Sequence, residues 1–138
     1  LNAAHARAKT CGMRSGFHNH VDEFAIENGL TKWERMFTET PSDFLMQLDI
    51  GWATCAGQDV PALLRKYHDR VETVHVKEHN PENGAAAVGE GTVKWPDIFE
   101  LLEQETVIKW YIVEQEAYAI GPIESARTCI DNVRKMGR

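Results

Sequence analysis

The chain has 138 residues, of which 43% are hydrophobic and 26% are charged, and its formal net charge at pH 7 is -6. This composition is typical of an ordinary globular protein with a sizeable core. The negative charge argues against a nucleic-acid partner, because binding phosphates requires a basic face. The sequence has neither an apolar stretch of about 18 residues nor a signal-like leader, so we expect no membrane partner.

The first residue and the cysteines indicate the context of the chain. Leu1 is not a methionine and the residues after it already look helical, so we expect the chain to begin inside a larger protein. The cysteines are odd in number and widely spaced, at Cys11, Cys55 and Cys129. This pattern fits reduced thiols packed as small hydrophobic residues better than a disulfide framework. It predicts a cytoplasmic location.

Helix-like and strand-like periods alternate along the chain. Helix starts are marked by the capping box of Thr31 and Glu34 and by Asp59 before Pro61. Strands are marked by short apolar or alternating β-branched runs. In chain order the predicted elements are helix 1–11, strand 14–18, a short helix after Thr31, strand 43–50, helix 60–70, strand 71–77, helix 96–104, strand 107–115 and helix 122–136.

A leading helix followed by four βα units predicts an α/β fold with a parallel sheet, in a single domain over residues 1–138. The nearly continuous apolar run at 107–115 predicts a strand that is covered on both faces. Polar residues at the strand ends favour a barrel, because the carboxyl ends of barrel strands converge on one mouth. An open nucleotide-binding sheet would need a glycine-rich turn after its first strand, and the sequence has none.

Asp49, His75 and Glu114 follow one another along the chain at about the spacing of one βα unit, roughly 31 residues in a barrel of about 250. Mixed carboxylate and imidazole ligation suits a catalytic Mn, Zn, Mg or Co ion. Each residue alone also has a structural interpretation, as a turn, a hydrogen-bonded histidine or a solvated acid. Together they predict a site for one divalent metal ion.

Several segments resemble the sugar phosphate isomerase/epimerase family, which includes xylose isomerase-like barrels and inosose dehydratases. They occur in the family's order, cover nearly the whole chain and read GFHNHVDEF, LDIGWATCAGQD, VETVHVKEH, VGEGTVKW and WYIVEQE. The HNH sequence in the first segment is similar to one branch of the family. The resemblance implies the C-terminal half of a (β/α)8 TIM barrel, with the fifth to eighth βα units and the preceding helix.

The resemblance also implies a ligand set. The family's metal is typically held by Glu, Asp, His and Glu on the last four strands, of which the last three correspond to Asp49, His75 and Glu114. At the first position this sequence has His18, with His20 and Glu23 close behind. That corner either completes the metal site, with His18 as the candidate ligand, or binds the sugar. The fourth ligand and the metal's identity therefore stay open.

Further residues are candidates for contacting the substrate. Lys77 lies two positions beyond His75, so on a strand it points the same way and would hold a substrate oxygen or phosphate, unless it is simply solvated. Trp52 would form one wall of a sugar pocket, with core packing as the alternative. His18 and His20 are the remaining candidates.

The reaction implied by the resemblance is metal-assisted proton transfer next to a sugar carbonyl, through an enediolate. Glu114 is the candidate base, and Glu23 or His20 would return the proton on the other side. Glu116 would orient Glu114 or face water. Isomerisation and epimerisation share this intermediate with loss of a β-hydroxyl, so a keto-sugar or inosose dehydratase is the alternative.

Two other interpretations stay open. The phosphodiesterase chemistry of related apurinic endonuclease barrels needs a larger zinc cluster and a basic DNA face, which six histidines in an acidic chain do not favour. A half-barrel would leave two open strand edges and would be inactive by itself. The predicted partners are therefore a small sugar or sugar phosphate, together with a missing N-terminal half or a second copy in a homo-oligomer.

Overall fold

A computed structural model describes all residues from 1 to 138. Its strands, in chain order, are β1 (Gly16–His18), β2 (Ile26–Glu27), β3 (Leu30–Thr31), β4 (Leu45–Asp49), β5 (Thr73–Val76) and β6 (Trp110–Val113). Its α-helices are α1 (Asn2–Thr10), α2 (Lys32–Glu39), α3 (Ile50–Cys55), α4 (Val60–Lys66), α5 (Trp95–Glu105) and α6 (Pro122–Lys135). A single 3₁₀ turn covers Asp22–Phe24.

The main sheet has four strands in the order β1-β4-β5-β6, and every neighbouring pair is parallel. The strand order follows the chain order, and helices connect the successive strands. A doubly wound sheet would instead reverse its order part-way. The predicted α/β fold with a parallel sheet is confirmed, and its sequential order is that of a partial barrel.

Local sequence signals set the helix starts. The capping box forms as predicted, with the Thr31 hydroxyl accepting from the Glu34 N–H and the Glu34 carboxylate accepting from the Thr31 N–H. The Asp59 carboxylate caps α4 through the Ala62 N–H at 2.9 Å. Each cap satisfies a backbone donor that has no partner within the helix.

The hydrophobic core lies on one face of the sheet. Met46 and Leu48 on β4 and Val74 and Val76 on β5 are buried within it. Because side chains alternate along a strand, these residues share a face. The helices contribute the three largest fully buried side chains, Trp33, Trp95 and Phe99.

The opposite face of the sheet carries Gly16, Gln47, Thr73 and Ile112, and it is open at β6. Trp110 is 69% exposed and Ile112 is 45% exposed. The prediction that this strand is covered on both faces is therefore wrong for the chain as described. The apolar residues Trp110 and Ile112 of β6 lie on the face of the sheet that this chain does not cover.

Other differences from the sequence-based prediction are local. The hairpin of β2 and β3 was not predicted, although Asn28 and Gly29 at its turn both have positive φ, as an Asn-Gly turn favours. Helix α3 was not predicted because it is too short to show a helical period. Cys129 is buried as expected, but Cys11 and Cys55 are exposed. Every helix is too short or too polar to cross a membrane.

Three carboxylates at the periphery form ion pairs that link elements distant in sequence. A hydrogen bond from Lys66 lowers the pKa of Glu34 to about 2. A hydrogen bond from Lys9 lowers the pKa of Asp43 to about 2. Hydrogen bonds from Arg14 and, to a smaller extent, from Lys109 lower the pKa of Glu72 to about 2. All three carboxylates are therefore charged in the folded state at neutral pH.

These depressed pKa values predict acid sensitivity. The stabilisation is present above the ordinary carboxyl pKa of 4.5 for glutamate and is lost as the pH falls through about 2. We expect the urea midpoint of unfolding to fall steadily across that window. Glu34→Gln should flatten the dependence, whereas Glu39→Gln at the exposed end of the same helix should not. Equal pH profiles for the two variants would contradict this explanation.

Candidate metal centre

The register of the sheet brings polar side chains to one edge. Asp49 pairs with His75, and His75 pairs with Ile112, two residues before Glu114. His18 pairs with Gln47, two residues before Asp49. Alternation along each strand therefore places all of these residues on the open face, at the carboxyl ends of the strands.

His75 lies at the centre of the group. Its Nδ1 atom is 3.1 Å from Asp49 Oδ2 and 2.6 Å from Glu114 Oε2. Ligand atoms of His18, Asp49 and His75 all lie within 4.8 Å of one another. His18, Asp49 and His75 thus approach one point, and Glu114 joins this group through its contact with His75.

The chemistry of these donors fits a divalent cation. The buried Nδ1 atom of His18 has no hydrogen-bond partner, and the His18 and His75 ring centroids are 4.7 Å apart. A buried polar atom without a partner is costly, and a cation accepts the lone pair of a neutral imidazole. The residues that would hold the ion are His18, Asp49, His75 and Glu114.

Asp49 is held in place at each of its polar atoms. Its Oδ1 accepts from the Trp52 N–H at 2.8 Å, which caps α3, while Oδ2 faces His75. Its backbone N–H donates to Asn19 Oδ1 at 2.8 Å, and its carbonyl accepts from Asn19 Nδ2 at 3.2 Å. Asn19 is completely buried and extends the β1–β4 pairing beyond its last backbone rung.

Sequence reasoning did not identify Asn19. In the sequence Asn19 stands only as the middle residue of the HNH motif, between two histidines that are candidate ligands. Alternation after His18 places Asn19 on the opposite, core-facing side, where a buried amide needs hydrogen-bond partners such as a backbone N–H and C=O. That alternation was the available signal.

Lys77 lies on the other side of the group, among acids. Its ammonium is 2.7 Å from Glu116 Oε2 and 3.5 Å from Glu114 Oε1. The hydrogen bond from Lys77 lowers the pKa of Glu116. Lys77 also lies 5.1 Å from the centre of the Trp52 ring. Glu116 therefore contacts the site and does not merely face water.

A close backbone approach constrains Lys77. A Cβ atom at Gly51 would lie 2.6 Å from the carbonyl oxygen of Lys77 and 2.9 Å from its Cγ. Only glycine fits at such a contact. Gly51 is a second positioning feature that the sequence alone did not reveal.

The HNH corner completes the group. The His20 ring is 4.6 Å from the His18 ring and 5.8 Å from the Trp52 ring. The Glu23 carboxylate accepts a hydrogen bond from the His20 backbone N–H at 2.7 Å. Trp52 is half-buried, and its indole N–H has no partner. The structure thus brings all of the predicted site residues into one connected set of contacts.

Comparison with protein families agrees with this architecture. The family model described as a xylose isomerase-like TIM barrel matches residues 1–136. The chain belongs to the xylose isomerase-like TIM barrel family. The partial barrel seen in the sheet order is therefore part of this fold, as the sequence resemblance implied.

Solved structures and curated relatives extend the comparison. A sugar phosphate isomerase/epimerase from Parabacteroides distasonis superposes with a TM-score of 0.80 at 24% identity, over 97% of this chain and 50% of that chain. An inosose dehydratase of Lacticaseibacillus casei is 26% identical, over 80% of this chain and 43% of its own length. An Escherichia coli K12 protein named "Putative L-ribulose-5-phosphate 3-epimerase" is 29% identical, over 68% of this chain and 36% of its own length. The chain spans about half the length, or less, of these relatives.

Asn19→Ala should weaken the support of Asp49. The change leaves a buried N–H and C=O of Asp49 without partners, which costs about 1–3 kcal/mol of the free energy of unfolding. The amide of Asp49 should also exchange faster with solvent in hydrogen-exchange measurements. Asn132→Ala is the control, because its amide bonds the Val88 carbonyl outside this site. If Asp49 stayed equally protected in both variants, the assigned role of Asn19 would be wrong.

Proposed function

We propose that this chain carries the metal-binding part of the active site of a divalent-metal-dependent sugar isomerase or epimerase. The observation that carries the proposal is the position of His75 Nδ1, within 3.1 Å of Asp49 and 2.6 Å of Glu114, beside the unpaired His18. Imidazole and carboxylate donors of this kind suit Mn, Zn, Mg or Co. When bound, such an ion supplies Lewis-acid stabilisation of negative charge on substrate oxygens.

Glu114 is the proposed general base. Its carboxylate is between His75 and Lys77, on the open face where a substrate would lie. It would remove the proton from the carbon next to the substrate carbonyl, which leaves an enediolate. Lys77 would hold a substrate oxygen, and Trp52 would form a wall of the pocket.

The second proton transfer is assigned to the HNH corner. His20 is exposed, and its ring lies beside His18, whose ring also lies beside His75, so His20 is the proposed acid at the edge of the metal site. Glu23 holds the backbone of His20, which supports a role for Glu23 in orienting this acid or in returning the proton itself. Return of the proton at a different carbon gives isomerisation, and return on the other side of the same carbon gives epimerisation.

A dehydratase on the same scaffold is the second candidate. It is favoured by the relatives named inosose dehydratase in Lacticaseibacillus casei and in Mesomycoplasma hyopneumoniae, the latter aligned over 99% of this chain at 26% identity. The enediolate formed by Glu114 would then expel the neighbouring β-hydroxyl, which takes a proton from the proposed acid at the HNH corner and leaves as water. Mass spectrometry of the product distinguishes the two, because only the dehydratase product lacks one water.

The residues at the carboxyl ends of β1, β4, β5 and β6 form one side of the mouth of a barrel. Strands β1 and β6 have free edges, and Trp110 is exposed on the open face. We propose that residues 1–138 form one half-barrel domain that acts only when further βα units cover this face. Those units are either another part of the same protein or a second copy of this chain.

The metal proposal predicts a selective loss of ion affinity. Asp49→Asn in the full chain should weaken Mn²⁺ or Co²⁺ binding by on the order of tenfold or more, since it removes an anionic ligand. Asp59→Asn is the matched control, because Asp59 caps α4 as Asp49 caps α3. Isothermal titration calorimetry measures both. Equal affinities in the two variants would contradict the assignment of Asp49 as a ligand.

The base assignment predicts a loss of proton exchange. In the full-length protein, with the open face covered by the remaining βα units, Glu114→Gln should slow exchange of the substrate's α-proton with deuterium oxide by about a hundredfold or more, the usual contribution of a positioned base. Proton NMR of a ketose or inosose substrate follows the exchange. Glu82→Gln, on the exposed loop after β5, serves as the control. Unchanged exchange in Glu114→Gln would show that another group is the base.

A further inference from the structure

Glu114 and Glu116 lie at the end of the pairing between β5 and β6. The last backbone hydrogen bond of that pairing runs from the Glu114 N–H to the Val76 carbonyl at 3.3 Å. Beyond it, the carboxylate of Glu114 contacts His75 at 2.6 Å and that of Glu116 contacts Lys77 at 2.7 Å. The sheet alone therefore does not fix the backbone that carries both acids.

Gln115 lies between the two acids, and its side chain points the other way, toward the loop of residues 77–94 that follows β5. Its amide nitrogen Nε2 is 3.1 Å from the Ala85 carbonyl oxygen, 3.2 Å from that of Ala86 and 2.9 Å from that of Ala117. Two N–H groups serve these three acceptors, so one hydrogen bond is shared. The amide therefore joins the end of β6 to the loop after β5.

The loop that Gln115 contacts is buried but forms neither helix nor strand at this point. Ala86 and Val88 are 4% and 0% exposed. Buried backbone outside a sheet needs hydrogen-bond partners from side chains. The Asn132 amide on α6 donates to the Val88 carbonyl at 3.0 Å, and Gln115 donates to those of Ala85 and Ala86. The loop is thus held from α6 and from β6 by separate amides.

The other end of the Gln115 amide is fixed as well. Its oxygen Oε1 is 3.5 Å from the thiol of Cys129, a weak donor on α6. The Tyr118 hydroxyl donates to the Gln115 backbone carbonyl at 2.9 Å. Three carbonyls on one side of the amide require the nitrogen to face them, so these contacts determine its orientation. Gln115 is therefore held through both its side chain and its backbone.

We propose that Gln115 is a positioning residue for the site. It holds the backbone beyond β6 so that Glu114 faces His75 and Glu116 faces Lys77. The inference rests on the proposed function and adds to it a residue whose side chain lies on the far side of the strand from the metal centre. A ligand that is oriented in advance binds more tightly, and removing the group that orients it weakens binding. Because the N–H groups of Gln115 make the contacts, a side chain of the same length without them should not replace it.

The first test uses the full-length protein without metal and follows hydrogen exchange of the Glu114 amide by NMR. Gln115→Met keeps the length of the side chain but removes the amide, so the Glu114 N–H should exchange on the order of tenfold faster than in the wild type. Asn132→Leu is the matched control, because it removes the amide that holds the same loop from α6. Equal exchange rates in the two variants would overturn the role of Gln115. Gln115→Asn, which keeps the amide but shortens its reach, replaces Gln115→Met if that variant does not fold.

The second test is a double-mutant cycle on Co²⁺ affinity, measured by isothermal titration calorimetry. Gln115→Met should weaken Co²⁺ binding by about tenfold, and Asn132→Leu should leave it unchanged. In a protein that already carries Glu114→Gln, Gln115→Met should cause no further loss, because the ligand that it positions is gone. Losses that add in the double variant would show that Gln115→Met damages the fold in general, which overturns the inference.

A failure of the proposed metal centre gives a different result. In that case the wild type binds no Co²⁺, or Glu114→Gln binds it as tightly as the wild type does. The exchange rates recorded without metal then decide the role of Gln115. Faster exchange in Gln115→Met alone supports it, and equal rates in the two variants overturn it.

Discussion

Asp49 is a fully buried carboxylate at the end of β4, and the geometry of the site depends on how its polar atoms are paired. Burying such a group is costly unless it is hydrogen-bonded or paired. The chain supplies its partners from separate segments, the Asn19 amide, the Trp52 N–H and the His75 imidazole. The start of α3 and the register of β5 are therefore coupled through the Asp49 side chain, and the HNH motif is coupled to the same residue through its backbone.

This coupling explains why the donors converge on one place. His75 is opposite Asp49 in the sheet register, and the same register carries Glu114 toward it from β6. The hydrophobic face of the sheet, packed with Met46, Leu48 and Val74, fixes the strands that present these groups. Packing on one face thus preorganises the chemistry on the other, so little has to move when a cation binds.

Much of this arrangement could be predicted from the sequence. The alternation of elements predicted the parallel sheet, and the unit spacing of Asp49, His75 and Glu114 indicated that they would meet. Other features depend on tertiary contacts that no local pattern encodes. The buried amide of Asn19, the pairing of Glu116 with Lys77 and the close contact at Gly51 each require two segments to be placed first. The exposure of Trp110 has another cause. The apolar sequence of β6 indicates that the strand is buried, but it does not indicate which residues bury it.

The central claim is that one divalent ion binds among His18, Asp49, His75 and Glu114. Anomalous diffraction from crystals of the full chain with Mn²⁺, recorded near and away from the manganese edge, tests it most directly. We expect a single strong peak within bonding distance of His75 Nδ1 and the Asp49 carboxylate. A peak at another location, or none in crystals shown to contain manganese, would contradict it.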